Sequence, residues 1–306
     1  MLAPAMKTWL LTAVLASVGC AAAPRPSPPV PSLAEMLRDS PAPDWRRIDP
    51  ENTIYMDLPG GRVVIELAPH YAPNHAAHIR ALARAGFFAD AAVVRVQDNY
   101  VVQWGRPDDL PGVPRLGGQR PTIPAEFARP RAGVPFQRLP DPDSYAPETG
   151  FSDGFPAARN RELTWLTHCY GMVGAGRGEM PDSGGGGELY AVIGQAPRHL
   201  DRNVTLVGRV VQGMERLSVM SRGTGPLGFY ETPAERTGIR SVRVAADVPP
   251  AERTELEALR TDSATFARLV DSRRTRRESW FVEPTGRINV CNVPLPVRAS
   301  AGGGSR

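Results

Sequence analysis

The chain has 306 residues, of which 42% are hydrophobic and 22% charged. This is ordinary globular usage and excludes global disorder. Its 36 basic and 32 acidic residues leave a net charge of +4, too small an excess for a dedicated nucleic-acid binder. Three cysteines exclude a disulfide-dense scaffold.

The N-terminus reads as an address. Lys7, the only lysine, precedes the apolar run Trp9-Leu10-Leu11-Thr12-Ala13-Val14-Leu15-Ala16, and Ser17-Val18-Gly19-Cys20 follows. A positive residue, a short apolar core and small residues describe a secretory signal. Small residues ending in Cys resemble a bacterial lipoprotein processing site, which makes Cys20 the expected lipidation site and residues 1–20 the leader. Ala21 after it points to outer-membrane sorting. Cleavage after Ala21-Ala22-Ala23 is the alternative and would release a soluble periplasmic protein. Residues 21–50 are rich in proline and predict an extended tether. Beyond the leader nothing approaches ~20 consecutive apolar residues, so no spanning helix is expected.

The body opens with two β-rich runs around Pro59-Gly60-Gly61, a predicted hairpin. Ala76, Ile79, Leu82 and Ala83 recur at helical spacing between Pro73 and Gly86. Residues 91–97 and 100–105 predict two further strands, with Asp98-Asn99 as the turn between them. From Arg106 to Arg161 proline and glycine are frequent, which predicts a long irregular loop with a single strand-like piece at 122–127. Strands follow at 163–171, 189–193, 206–211 and 239–245, with a short helix at 215–220. Many strands, few helices and no βα alternation predict a mainly β chain: a closed antiparallel barrel capped by helices. After Pro249-Pro250, residues Leu256, Leu259, Phe266, Leu269 and Val270 mark one face of a helix over 251–274, followed by a frayed tail. Arg273-Arg274 and Arg276-Arg277 read as a solvated helix end. The domain plan is leader 1–20, tether 21–50, barrel 51–248 with an insertion at 128–162, and a C-terminal helix and tail over 249–306.

The order of these elements carries a resemblance. Gly61-Arg-Val-Val-Ile-Glu-Leu67, Val94-Arg-Val-Gln-Asp-Asn-Tyr-Val-Val-Gln-Trp-Gly105, Pro124-Ala-Glu-Phe127, His199-Leu200-Asp201 and Leu206-Val-Gly-Arg-Val-Val-Gln-Gly-Met214 resemble, in sequence and order, the cyclophilin-type peptidyl-prolyl isomerases. The resemblance implies an eight-stranded barrel with two helices and a proline-peptide groove on its outer face. It makes Arg95 the catalytic arginine and Gln103 a ligand of substrate backbone. Tyr100, Val101 and Leu189 would line the proline pocket, and His199 and Leu200 would complete the groove. It implies no cofactor and no metal. The expected partners are proline-containing polypeptides and, through the lipid anchor, a membrane; the expected state is a monomer.

Several rim positions depart from the family pattern. Leu189 stands in place of an aromatic residue, Glu188 of a glutamine, Trp104 of a glycine (with its bulk expected to pack outward) and Val204 of a histidine. The alternative is therefore a weak or inactive proline-peptide binding module serving as a membrane-tethered scaffold. His75 and His78 at helical spacing read as a solvated face, since two imidazoles make weak evidence for a metal. Cys169 and Cys291 read equally as a disulfide or as two independent thiols.

Overall fold

The computed structural model describes residues 31–107 and 122–300. The leader, Cys20 and the first part of the expected tether lie outside the described residues. In chain order the elements are α1 (Leu33–Arg38), β1 (Trp45–Arg47), β2 (Thr53–Leu58), β3 (Gly61–Leu67), α2 (Pro73–Arg84), β4 (Ala92–Val96) and β5 (Val101–Gly105). Then come β6 (Arg129–Pro130), β7 (Gln137–Leu139), β8 (Glu148–Ser152), β9 (Phe155–Arg159), β10 (Leu163–Leu166), β11 (Met172–Ala175), β12 (Glu188–Val192) and β13 (Leu206–Gln212). The chain ends with α3 (Met214–Ser218), β14 (Thr237–Gly238), β15 (Ser241–Val244), β16 (Leu256–Leu259), α4 (Ala264–Thr275) and β17 (Val297–Ala299).

The main body is a curled antiparallel sheet of nine strands, in the order β14-β4-β5-β12-β11-β13-β3-β2-β15. The fold class is the mainly β one expected, but the closed eight-stranded ladder is not reached. The two edge strands, β14 and β15, are successive halves of one segment and cannot pair with each other. That segment instead spans the gap: Ile239 N–H bonds to Ala91 O beside β4, and Arg240 N–H bonds to Asp57 O of β2, both at 2.8 Å. Strand alternation sends Ile54, Met56, Val63, Ile65, Val93, Val102, Trp104, Val173, Ala191 and Val207 inward, where Ile79 and Leu82 of α2 meet them. Proline at the first position starts α2. Its N-terminal N–H groups, on Asn74 and His75, donate to the Glu126 carboxylate, each at 3.0 Å. His75 is therefore buried, correcting the solvated face expected for it.

The proline- and glycine-rich insertion is not an irregular loop. Its four strands β6 to β9 join β10, from the strand expected after it, in a five-stranded antiparallel sheet, β6-β10-β9-β8-β7, whereas 122–127 carries no strand. The expected tether is folded from Ser32 onward. Ser32 caps α1 in a reciprocal capping box with Glu35, and β1 pairs with β16. The C-terminal helix is shorter than predicted because Leu256 and Leu259 belong to a strand held between β1 and β17; α4 starts only at its cap Ser263, which accepts from Phe266 N–H. The tail is folded through residue 300, and Cys169 bonds to Cys291, which settles the open cysteine reading. These outer pieces share a second core that includes Trp45, Phe151, Phe155, Met172, Phe266 and Leu269.

Candidate active site

The β4–β5 hairpin turns at Asn99, whose φ of 52° lies in the left-handed region that asparagine tolerates. The ladders then set one row across four strands: Arg95 opposite Gln103, Gln103 opposite Tyr190, and Tyr190 opposite Gly174. With alternate residues facing alternate sides, Val101 and Gln103 share the outer face while Val102 and Trp104 fill the interior. Trp104 is thus buried inside the barrel, not turned outward.

Arg95 is half-buried and held from three sides. Its Nη1 donates to Gln103 Oε1 at 3.2 Å, its Nε to the Leu227 carbonyl at 2.7 Å, and its Nη2 to Gln97 Oε1. The guanidinium carbon lies 5.5 Å from the Tyr100 ring centre and 5.3 Å from that of Phe229, within cation–π range of both. Burial lowers the pKa of the group, yet an arginine stays charged at neutral pH. Gln103 is oriented at both ends, since its Nε2 donates to Glu188 Oε2 at 3.0 Å. On the same side as this cation lies a buried apolar cluster of Val101, Tyr190 and Val192, with the half-buried Tyr100 and Val204 packed against it. His199 stacks on Tyr100 with the rings 6.4 Å apart and 6° from parallel. Leu200 follows His199 in the same turn, where its carbonyl accepts from Val204 N–H at 3.2 Å, and it is not part of this apolar cluster.

Arg95, Tyr100, Val101, Gln103 and His199 thus lie together. Leu189 does not: it points into the interior core. A one-residue slip on a strand exchanges the two faces, and Tyr190 takes the outward place. The sequence reading also missed Leu227 and Phe229. They arrive from a loop more than 120 residues away, and no local pattern announces them. Gly228 lets that loop lie on the hairpin: its φ is +78°, and a Cβ there would fall 2.7 Å from Gln97 Cα. Among the described residues no group of three or more acidic, histidine or cysteine side chains could hold a metal.

Residues 53–244 match the model of the cyclophilin type peptidyl-prolyl cis-trans isomerase/CLD family. The chain belongs to this family. It is 28% identical over 184 residues to a probable peptidyl-prolyl cis-trans isomerase of Brucella suis, covering 58% of this chain and 74% of that protein. A Brucella abortus protein of the same description is 27% identical over 184 residues, with the same coverage. The fold is similar to that of cyclophilin AquaCyp293 from Hirschia baltica, with a TM-score of 0.66 and 24% identity over 89% of this chain and 99% of that one. The cyclophilin match ends at Val244, so β16, α4 and β17 lie beyond it. The insertion with β6 to β9 falls within it, between the hairpin that carries Arg95 and the strand that carries Tyr190.

Proposed function

We propose that this cyclophilin catalyses cis–trans isomerisation of X-Pro bonds in polypeptides, with Arg95 as the catalytic residue. One observation carries the reading: a guanidinium fixed beside Tyr100, which packs on an apolar cluster of Val101, Tyr190 and Val192. The X-Pro barrier, about 20 kcal/mol, comes from donation of the prolyl nitrogen lone pair into the carbonyl. The cluster seats the proline ring. Arg95 donates toward the prolyl nitrogen and draws its lone pair out of conjugation, so the twisted amide is stabilised more than the planar one. Gln103 holds the substrate backbone while the bond turns. The reaction forms no covalent intermediate.

A protease-coupled isomerisation assay of the full chain tests this. Loss of one preorganised charged donor costs about 10²–10³ in rate, so Arg95→Ala should remove nearly all turnover. An unchanged rate would exclude Arg95 from the mechanism.

A specific observation favours a second reading. Three Arg95 nitrogens already have partners in Gln97, Gln103 and Leu227. If these are not exchanged for substrate, the groove binds proline peptides without turning them over and serves as a scaffold. Peptide affinity without catalysis would establish that reading.

The leader and Cys20 support action on exported proteins from the outer membrane, as a lipoprotein. Cys20→Ser should move the chain from the membrane fraction to the soluble fraction. Continued membrane association of that variant would refute the anchor.

A further inference from the structure

A chain of buried polar side chains runs from the insertion to the groove wall. Asp143, in the loop between β7 and β8, takes both Nη groups of Arg198 at 3.0 and 3.1 Å. Arg198 Nε donates to Asp201 Oδ2. Asp201 Oδ1 lies 3.0 Å from His168 Nδ1 and also accepts the His168 backbone N–H at 2.9 Å. His168 Nε2 lies 2.8 Å from the Tyr190 hydroxyl. The side chains of Asp143, Arg198, Asp201 and His168 are 2%, 3%, 6% and 0% exposed.

The partners fix every proton in the chain. A carboxylate only accepts, so Nδ1 of His168 carries hydrogen and points it at Asp201. Nε2 is then the bare acceptor, and the Tyr190 hydroxyl donates to it. Burial lowers the pKa of the imidazole and raises that of the phenol, so both remain neutral. The hydroxyl is thus turned inward, and the ring packs with Val101 and Val192 under Tyr100 and Val204. The turn holding Arg198 and Asp201 also presents His199, which stacks on Tyr100. Two groove walls therefore depend on one clamped turn.

We propose that Asp143, Arg198, Asp201 and His168 are positioning residues that hold the Tyr190 ring as the fixed wall of the proline pocket, which makes the insertion part of the working unit of the groove. This rests on the isomerase reading above. A buried charge set is weak evidence for stability, because its desolvation offsets its attraction. What this set does determine is the angle of one ring.

A double-mutant cycle in the full chain tests the idea. Asp143→Asn should lower kcat/KM for a succinyl-Ala-Ala-Pro-Phe anilide about five- to tenfold, a coupling within the usual range for residues of one network. Tyr190→Phe removes the hydroxyl and cuts the link. In that background Asp143→Asn should change kcat/KM by less than about twofold, while still lowering the melting temperature. A merely structural role predicts the same fold-loss in both backgrounds, and that result, or no loss at all, overturns the proposal. Should Asp143→Asn fail to fold, Arg198→Lys keeps the charge, loses the fork and enters the same cycle. If the unmodified chain shows no turnover, the isomerase reading fails separately; the cycle is then read from dissociation constants for the same peptide. A cycle without coupling, or no binding by any of the four chains, overturns the positioning role.

Discussion

Tyr190 lies so close over Gly174 that a Cβ at position 174 would fall 2.3 Å from both its Cζ and its hydroxyl oxygen. No real Cβ tolerates that approach, so only glycine leaves room for the ring. Gly174→Ala should push Tyr190 out of the groove wall and lower isomerisation about tenfold, since small misplacements at a reacting site are costly. The chain should remain folded by circular dichroism. Full activity in this variant would show that the ring position is not needed.

Phe229 and Tyr100 flank the Arg95 guanidinium. Removing one ring loses a cation–π contact of about 0.5–2 kcal/mol, which restrains the cation laterally. Phe229→Ala should therefore lower kcat/KM roughly three- to tenfold and leave the melting temperature within a few degrees of the parent. The protease-coupled assay and a thermal melt together check this.

Glu66 and Arg209 form a buried pair at 3.2 Å, and Arg46 reaches the other Glu66 oxygen at 2.6 Å. Burial lowers the Arg209 pKa, a direct sign of its desolvation. Glu66→Gln strands this cation in the interior, and breaking one partner of such a pair costs about 3–5 kcal/mol. The urea midpoint should fall accordingly. A shift under 1 kcal/mol would mean that water reaches Arg209.

The Cys169–Cys291 bond closes a loop with a sequence separation of 122 residues. Cross-links of that length stabilise by about 2–5 kcal/mol, chiefly by restricting the unfolded chain. Cys291→Ser, or reductant, should lower the melting temperature by several degrees and increase hydrogen exchange around α4. Identical melts with and without reductant would indicate that the segment is held by packing alone.

His168 gives the stability a pH dependence. Burial is the largest cause of its lowered pKa, opposed by Asp201 and reinforced by Arg198 and His199. The unfolded imidazole titrates near its ordinary value of 6.5, so below that pH the unfolded chain binds a proton that the folded chain refuses. Stability is complete above about pH 6.5 and falls as the pH drops toward the folded value. Urea midpoints between pH 8 and pH 5 should show this slope, and His168→Gln should flatten it.

The hairpin carrying Arg95, Tyr100, Val101 and Gln103 was legible because everything it needs is local: two alternating strands and an Asp-Asn turn. Tyr190 was missed by one residue, because Glu188-Leu189-Tyr190 offers two candidates and only pairing partners say which face each takes. The insertion was hidden by its prolines and glycines. Pro130 sits on the edge strand β6, where a missing N–H breaks no ladder, so proline there is no argument against a sheet. Leu256 and Leu259 fit a helical period, but pairing with Trp45 and its neighbours outweighs that local pattern. The link from Asp143 to Tyr190 joins four distant segments, and no spacing rule can show such a convergence.

The small sheet β1-β16-β17 takes one strand from near the start of the described chain and one from its last residues. During synthesis β1 must wait, unpaired, while the roughly 210 residues up to its partner β16 are made. The nine-stranded body can assemble from residues 53–244 before that moment. Pairing of β1 is therefore a late event, and a chain stalled or clipped before Leu256 would carry the nine-stranded sheet with β1 left unpaired. A protease that recognises the unpaired Trp45 segment could tell a chain that has made β16 from one that has not.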